Sequence, residues 1–298
     1  GYNNISSHQI NLPKTKDKNK DISVNLLRDH LVKSGFNEII NFPFDKDETK
    51  DSFKIDNPLD SNKKNLRTSL KESLIENLLY NERRQKDSLK LFEISNVYRK
   101  DSDYPSPKEI LKVGIIATGR VGHNYKDFSK KIDKAFLMNL MEEIMDINAN
   151  IEEIPRDILN TKHKSRIFYV EIELEVIEDK IKKNKLLEEK RFNFQKYIDI
   201  SDFPSSSRDF SFLISDPSKY LIFMDLIENI DGSNVKNVFI FDYFKNDDLK
   251  QIKVGIRIIF KSDIKTLSEE EINQSAKSII KPFLSIDGVS IPGLEYNK

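Results

Sequence analysis

The stretch FPSSSRDFSFLI, residues 203–214, decides the fold of the second half of the chain. A proline and three serines lead into Arg208-Asp209, after which apolar residues alternate with others, the period of a strand with one buried face. Alternation sends Arg208 and Asp209 to opposite faces, so the two need not pair with each other. Reading outward, KYLIFMDLIENI (219–230) has helical character and stops at Asp231-Gly232. NVFIFDYF (237–244) and KVGIRIIF (253–260) follow as a hairpin around a polar NDDL turn. Ser268 with Glu271 makes a capping box for the next helix, and GVSIP (288–292) supplies a last short strand. The order is βαββαβ, the ferredoxin-like arrangement.

The two faces of that sheet separate by alternation. Val254, Ile256, Ile258 and Phe260 point toward the helices, and Lys253, Gly255, Arg257 and Lys261 point away. On the neighbouring strand Val238 and Ile240 point inward, which leaves Phe239, Phe241 and Tyr243 on the open face. Aromatics beside cations on an open sheet suit single-stranded RNA, each base stack being worth roughly 1–3 kcal/mol. The competing reading is that these rings pack under a neighbouring segment. Arg208 has two readings as well, as a contact to an RNA backbone or as a tie for the incoming linker. On the RNA reading, replacing Arg257 or Phe241 by Ala weakens RNA binding, whereas a change at Ile258 chiefly destabilises the fold.

Upstream the pattern is that of an α+β unit. In DISVNLLRDHLVKSGF, Val24, Leu27, Leu31 and Val32 keep helical spacing, Asp21 or Ser23 is placed as N-cap, and Gly35 as the left-handed stop. NEIINFPF reads as a buried strand ending at Pro43. A long helix is expected from Leu70 to Gln85 with Leu70, Leu74 and Leu78 on one face. LKLFEISNVYR (89–99) and ILKVGIIATG (110–119) read as adjacent antiparallel strands, 131–147 as an amphipathic helix, and RIFYVEIELEVI (166–177) as a period-2 strand. Residues 1–20 read as a linker, 21–193 as one domain and 194–298 as the second. Because the chain opens on Gly1, it is expected to be part of something longer.

Composition narrows the chemistry. Lys plus Arg and Asp plus Glu are 49 each, so the formal net charge is zero and any basic surface must be local. There is no cysteine, which excludes disulfides, thiolate catalysis and Cys-based zinc sites. His8, His30, His123 and His163 are scattered, so no histidine metal site is expected. Without an apolar run of about 20 residues or a signal-peptide pattern, a soluble cytoplasmic protein is expected. No glycine falls in a GxGxGxxR-like run, and GRVG (119–122) has no Walker lysine after it. Arg99 follows a strand resembling the second class II synthetase motif but has no evident acidic partner. No catalytic residue and no bound metal are therefore assigned to this chain.

FPSSSRDFSFLI, FIFDYF and KVGIRIIFKS…TLSEEEIN resemble the ferredoxin-fold anticodon-binding domain that ends the β subunit of bacterial phenylalanine–tRNA ligases. Pro204, Arg208, Asp209, Phe241, Asp242, Thr266, Leu267, Glu270 and Glu271 fill that family's pattern, with Phe244 where it carries tyrosine. LLRDHLVKSGFNEIINFPF, NPLDSNKKNLRTSLKESLIENLLYN and LFEISNVYR are similar to the β subunit's catalytic-like module, a relative of class II synthetase cores. The resemblance implies a non-catalytic chain that packs on a catalytic α subunit in an (αβ)₂ assembly. It further implies binding of tRNA(Phe), with ATP and Mg²⁺ at the α subunit. The RNA-facing set is then Arg208, Phe239, Phe241, Tyr243, Lys253, Arg257 and Lys261. Leu27, Leu31, Arg67, Leu74 and Leu78 are assigned to the subunit interface, although the leucines also fit a core and Arg67 also fits a salt bridge within the domain. The family's His-Pro-Gly-Arg-like and Gly-Glu-Leu-His-Pro-like stretches are missing before the last strand of the first unit. A free-standing RNA-binding regulator and an enzyme reusing the class II core for another adenylation are the alternatives.

Overall fold

The computed structural model describes residues 18–46, 48–58, 60, 63–100, 106–183, 201–232 and 234–293. The linker read at 1–17 and the domain boundary read near residue 194 lie outside these.

The first module is built on a five-stranded sheet of β1 (Asn37–Glu38), β4 (Leu89–Arg99), β5 (Lys108–Thr118), β7 (Ile167–Glu173) and β6 (Glu152–Ile154), in that spatial order. Only β1 runs parallel to its neighbour; the other pairings are antiparallel. Each long strand is apolar on both faces because both are covered. On one side α1 (Lys18–Lys33), α3 (Lys134–Met145) and α4 (Leu174–Lys183) press Leu27, Leu31, Leu137, Met141 and Ile177 against Phe92, Val113, Ile115, Phe168 and Val170. On the other, α2 (Lys71–Glu82) lays Leu70, Leu74 and Leu78 over Leu91, Ile116, Ile167 and Tyr169. β2 (Phe44–Asp45) and β3 (Asn65–Leu66) form a small ribbon beside α2.

Several local expectations need correction. Helix α1 begins at Lys18, so Ser23 is buried inside it and does not cap it; Gly35, at φ +82°, does end it. Val32 is half exposed, on the outer side of the helix. NEIINFPF is not a buried strand: after β1 the chain leaves the sheet, with Ile40 91% and Phe42 71% exposed. RIFYVEIELEVI changes period midway, so Val176 and Ile177 belong to α4, where Leu174, Ile177 and Ile181 recur at helical spacing.

The expected interface residues are enclosed by the chain itself. Leu27, Leu31, Leu74 and Leu78 have no exposed surface. Arg67, 1% exposed, places Nη1 2.9 Å from Glu93 Oε1 and donates from Nε to the Asn96 carbonyl at 3.1 Å. These five hold the module together and present nothing to a partner.

The second module has the order β8 (Ser206–Ile214), α5 (Tyr220–Glu228), β9 (Val235–Asn246), β10 (Gln251–Phe260), α6 (Glu269–Leu284) and β11 (Val289–Ser290). Its sheet runs β11-β8-β10-β9, antiparallel throughout. Phe212, Ile214, Val254, Ile256, Ile258 and Phe260 meet Phe223 of α5 and Ile272, Ile280 and Phe283 of α6. The capping box forms as read, with Ser268 Oγ accepting from the Glu271 N–H and Glu271 accepting from the Ser268 N–H.

Candidate nucleic-acid interface

Register fixes which side chains share the outer face of the second sheet. One row is Asp209–Arg257–Phe239, the next Ser211–Gly255–Asp242, and the last Leu213–Lys253–Phe244. The count along β9 slips between the first two rows, because Phe241 is an extra residue with no partner on β10. This β-bulge turns every later residue of β9 to the other face. Phe241 stays outside, its ring laid so close over Gly255 that a Cβ there would lie 2.8 Å from it. Tyr243, read from the sequence as an outer residue, faces the helices opposite Val254 and packs on Tyr220 with ring centroids 5.9 Å apart. Phe244 takes the outer place, 59% exposed.

The inner part of this face is covered. The segment joining β5 to α3 reaches across from the first module and seats Phe128 5.5 Å from Phe239 and 5.8 Å from Phe241, centroid to centroid. His123 meets the Phe239 ring edge-on at 5.6 Å, and Tyr125 touches Tyr243 at 5.5 Å. Arg257 lies 5.0 Å over the Phe128 ring and grips Asp209 in a two-pronged pair at 2.6 and 2.7 Å. That pair, chiefly the hydrogen bond from Asp209, raises the guanidinium's pKa further and keeps the charge fixed on its partner. Phe239, Phe241 and Arg257 thus form the seam between the modules, the packing alternative of the two sequence readings. Sequence reasoning missed Phe128, His123 and Tyr125; their only signal is an aromatic-rich loop between two regular elements.

The remaining assigned cations divide. Arg208 turns to the helix face, where it pairs with Glu269 and donates to Asn273 Oδ1 at 3.2 and 3.3 Å, tying β8 to the first turn of α6. Asp209 goes to the opposite face, as alternation requires. Lys261 donates to the Ser201 carbonyl at 2.7 Å and Ser201 Oγ to the Ser262 carbonyl at 2.7 Å, which anchors the arriving segment. Lys253 is exposed and makes no ion pair among the described residues. Uncovered on the outer face are therefore Leu213, Lys253 and Phe244, an apolar patch, a free cation and an open ring side by side.

The first module offers no comparable cavity on its sheet, since α2 fills one face and three helices the other. Among the described residues no three His, Asp or Glu side chains converge to hold a metal ion. No described helix is long and apolar enough to cross a membrane.

A helix-covered antiparallel sheet followed by a ferredoxin fold is a pairing of modules belonging to the aminoacyl-tRNA synthetases. The family model described as "Phenylalanyl tRNA synthetase beta chain CLM domain" matches residues 6–174, and that of the "Ferredoxin-fold anticodon binding domain" matches 201–286. The chain belongs to the phenylalanyl-tRNA synthetase beta chain family. Among its relatives, the phenylalanine–tRNA ligase beta subunit of Carboxydothermus hydrogenoformans is 26% identical over 79% of this chain and 32% of its own length. That of Syntrophotalea carbinolica is 25% identical over 90% and 38%, and that of Buchnera aphidicola subsp. Baizongia pistaciae 26% over 94% and 39%. The chain spans about a third to two fifths of the length of these relatives.

Proposed function

We propose that this chain serves a phenylalanine–tRNA ligase as a non-catalytic part of its β subunit, binding tRNA(Phe) and carrying the α subunit in an (αβ)₂ assembly. ATP and Mg²⁺ are handled by the α subunit, where phenylalanine is activated and transferred, in the cytoplasm. The observation that carries the RNA part is the uncovered row of Leu213, Lys253 and Phe244 on the sheet of a domain matched as anticodon-binding. A flat ring in the open takes a base on its face, and an unpaired ammonium beside it meets the phosphate. The role moves from Phe239, Phe241 and Arg257, which the seam occupies, to Phe244 and Lys253; Arg208, Tyr243 and Lys261 support the fold. For the partner surface, Ile40 and Phe42 replace the five buried residues, being neighbouring apolar side chains left in solvent.

The test is binding of a tRNA(Phe) transcript to the chain, followed by fluorescence anisotropy. Phe244→Ala is expected to weaken binding about tenfold, since a base stack is worth roughly 1–3 kcal/mol, and Phe244→Tyr to keep it. Unchanged affinity in Phe244→Ala would remove this row from the interface. Light scattering of the chain mixed with the α subunit tests assembly, with Ile40→Asp/Phe42→Asp expected to abolish it.

A further inference from the structure

A second surface lies on the first module, away from the ferredoxin-like sheet. The end of α2 and the segment 156–165 face each other across a groove of about 400 Å³, lined on one lip by Arg83 and on the other by Lys162 and His163. Lys164 stands exposed beside them. Arg83, Lys162 and Lys164 make no ion pair among the described residues, although the chain as a whole is electrically neutral. The one carboxylate lining the groove, Glu82, is buried and already committed. Arg156 holds it with two bonds of 2.8 Å, and Thr161 Oγ1 donates to it at 3.1 Å. Arg156 Nε also donates to the Ser165 carbonyl at 2.6 Å, so the 156–165 segment is stapled to the helix end.

That staple fixes the separation of the two cationic lips before any ligand arrives, which lowers the ordering cost of binding. The negative end of the α2 dipole opposes an anion here. It amounts to roughly half a charge, against three whole positive ones, and His163 Nε2 lies 3.3 Å from the Glu82 carbonyl, covering part of it in the Nε2–H tautomer. Just past the Arg83 lip, Gln85 and Asp87 line the junction with Phe239 and Arg257 of the second module. The groove therefore leads toward the anticodon-binding-type domain.

We propose that this groove binds the phosphate backbone of RNA, Arg83 on one side and Lys162 and Lys164 on the other, as a second contact for the same tRNA. It deepens the function proposed above and rests on it. Such contacts position an RNA without reading its sequence, so the groove binds an arbitrary duplex as well as a cognate transcript.

The test titrates the full chain, with salt varied, against a tRNA(Phe) transcript and against a short RNA duplex of unrelated sequence. Arg83→Glu/Lys162→Glu/Lys164→Glu is expected to lower affinity for both at least tenfold. The slope of log affinity against log salt should shrink by about two to three, near 0.7–0.9 per phosphate released. Lys277→Glu/Lys281→Glu on α6 serves as the charge control and is expected to change the slope less. An unchanged slope in the groove variant, with Phe244→Ala still weakening the transcript, overturns the groove and leaves the RNA function standing. No RNA binding by the parent chain overturns both. Poly-glutamate binding the parent as tightly as the duplex, and losing it in the groove variant, overturns RNA in favour of an acidic polypeptide.

Discussion

Arg67 shows what a single buried charge requires. Its guanidinium and the Glu93 carboxylate are almost wholly enclosed, and Glu93 also accepts from the Asn41 Nδ2 at 2.8 Å and the Asn41 N–H at 3.3 Å. Burying two ions is costly, and the pair repays it only while both partners are present. Glu93→Gln should therefore destabilise the fold by about 3–5 kcal/mol, read as a lower urea midpoint. Arg67→Met/Glu93→Leu should recover most of that loss, because no charge is then stranded. A double variant as unstable as the single one would mean that the geometry of the pair, and not its charge, holds this region. From the sequence, Arg67 stood equally for an interface contact and an internal salt bridge. The choice turns on Glu93, 26 residues away, which a local pattern cannot bring beside it.

At the scale of elements, α2 is capped from outside itself. Leu70 at its N-cap has no side-chain cap, so an orphan backbone donor must be satisfied elsewhere. Glu171 of β7 does this, accepting from the Leu70 N–H at 2.9 Å, from Ser69 Oγ at 2.6 Å, from Lys112 Nζ at 2.6 Å and from the Tyr169 hydroxyl. Burial pushes the Glu171 carboxyl up, but the bonds from Lys112, Ser69, Tyr169 and Leu70 together outweigh it and hold its pKa below the ordinary 4.5. Burial, with the Glu171 charge beside it, keeps the Tyr169 hydroxyl well above its ordinary range, so it remains a donor. A carboxyl depressed on folding contributes stability that is complete above its unfolded value and drains as pH falls through the folded one. Glu171→Gln should lower the melting temperature at pH 7 and flatten its fall below about pH 4.5. A parallel acid limb in parent and variant would exclude Glu171 as its source.

Element types were legible wherever one period ran without interruption, as in β4, β5, β10 and the capping box of α6. They were not where the period changed inside an apolar run, at the passage from β7 to α4. The extra residue at Phe241 was equally hidden, and it moved Tyr243 to the core face and Phe244 to the surface. A bulge is a relation between two strands, and its one local trace is Gly255 across from it, which makes room for the ring.

For the whole molecule, the decisive contact is the seam between the modules. Periodicity distinguished the faces of the second sheet but could not say that Phe128, more than a hundred residues earlier, would cover one of them. Phe128 is buried between Phe239, Phe241 and Arg257, and Arg120 braces it from behind, its guanidinium 4.1 Å over the ring and Nη1 donating to the Phe128 carbonyl at 2.6 Å. A buried aromatic at the centre of a small contact carries most of its energy, about 2 kcal/mol or more. Each module has its own core, so losing that contact should loosen their docking without unfolding either. Phe128→Ala is expected to enlarge the radius of gyration in solution scattering and to split a single thermal transition into two. The same variant separates two roles for the covered rings. If Phe239 and Phe241 can stack on bases once uncovered, RNA affinity rises in Phe128→Ala and the rise disappears when Phe241→Ala is added. If affinity is unchanged while the modules separate, the two rings serve the seam alone, and the RNA-facing part of the sheet ends at the row of Lys253 and Phe244.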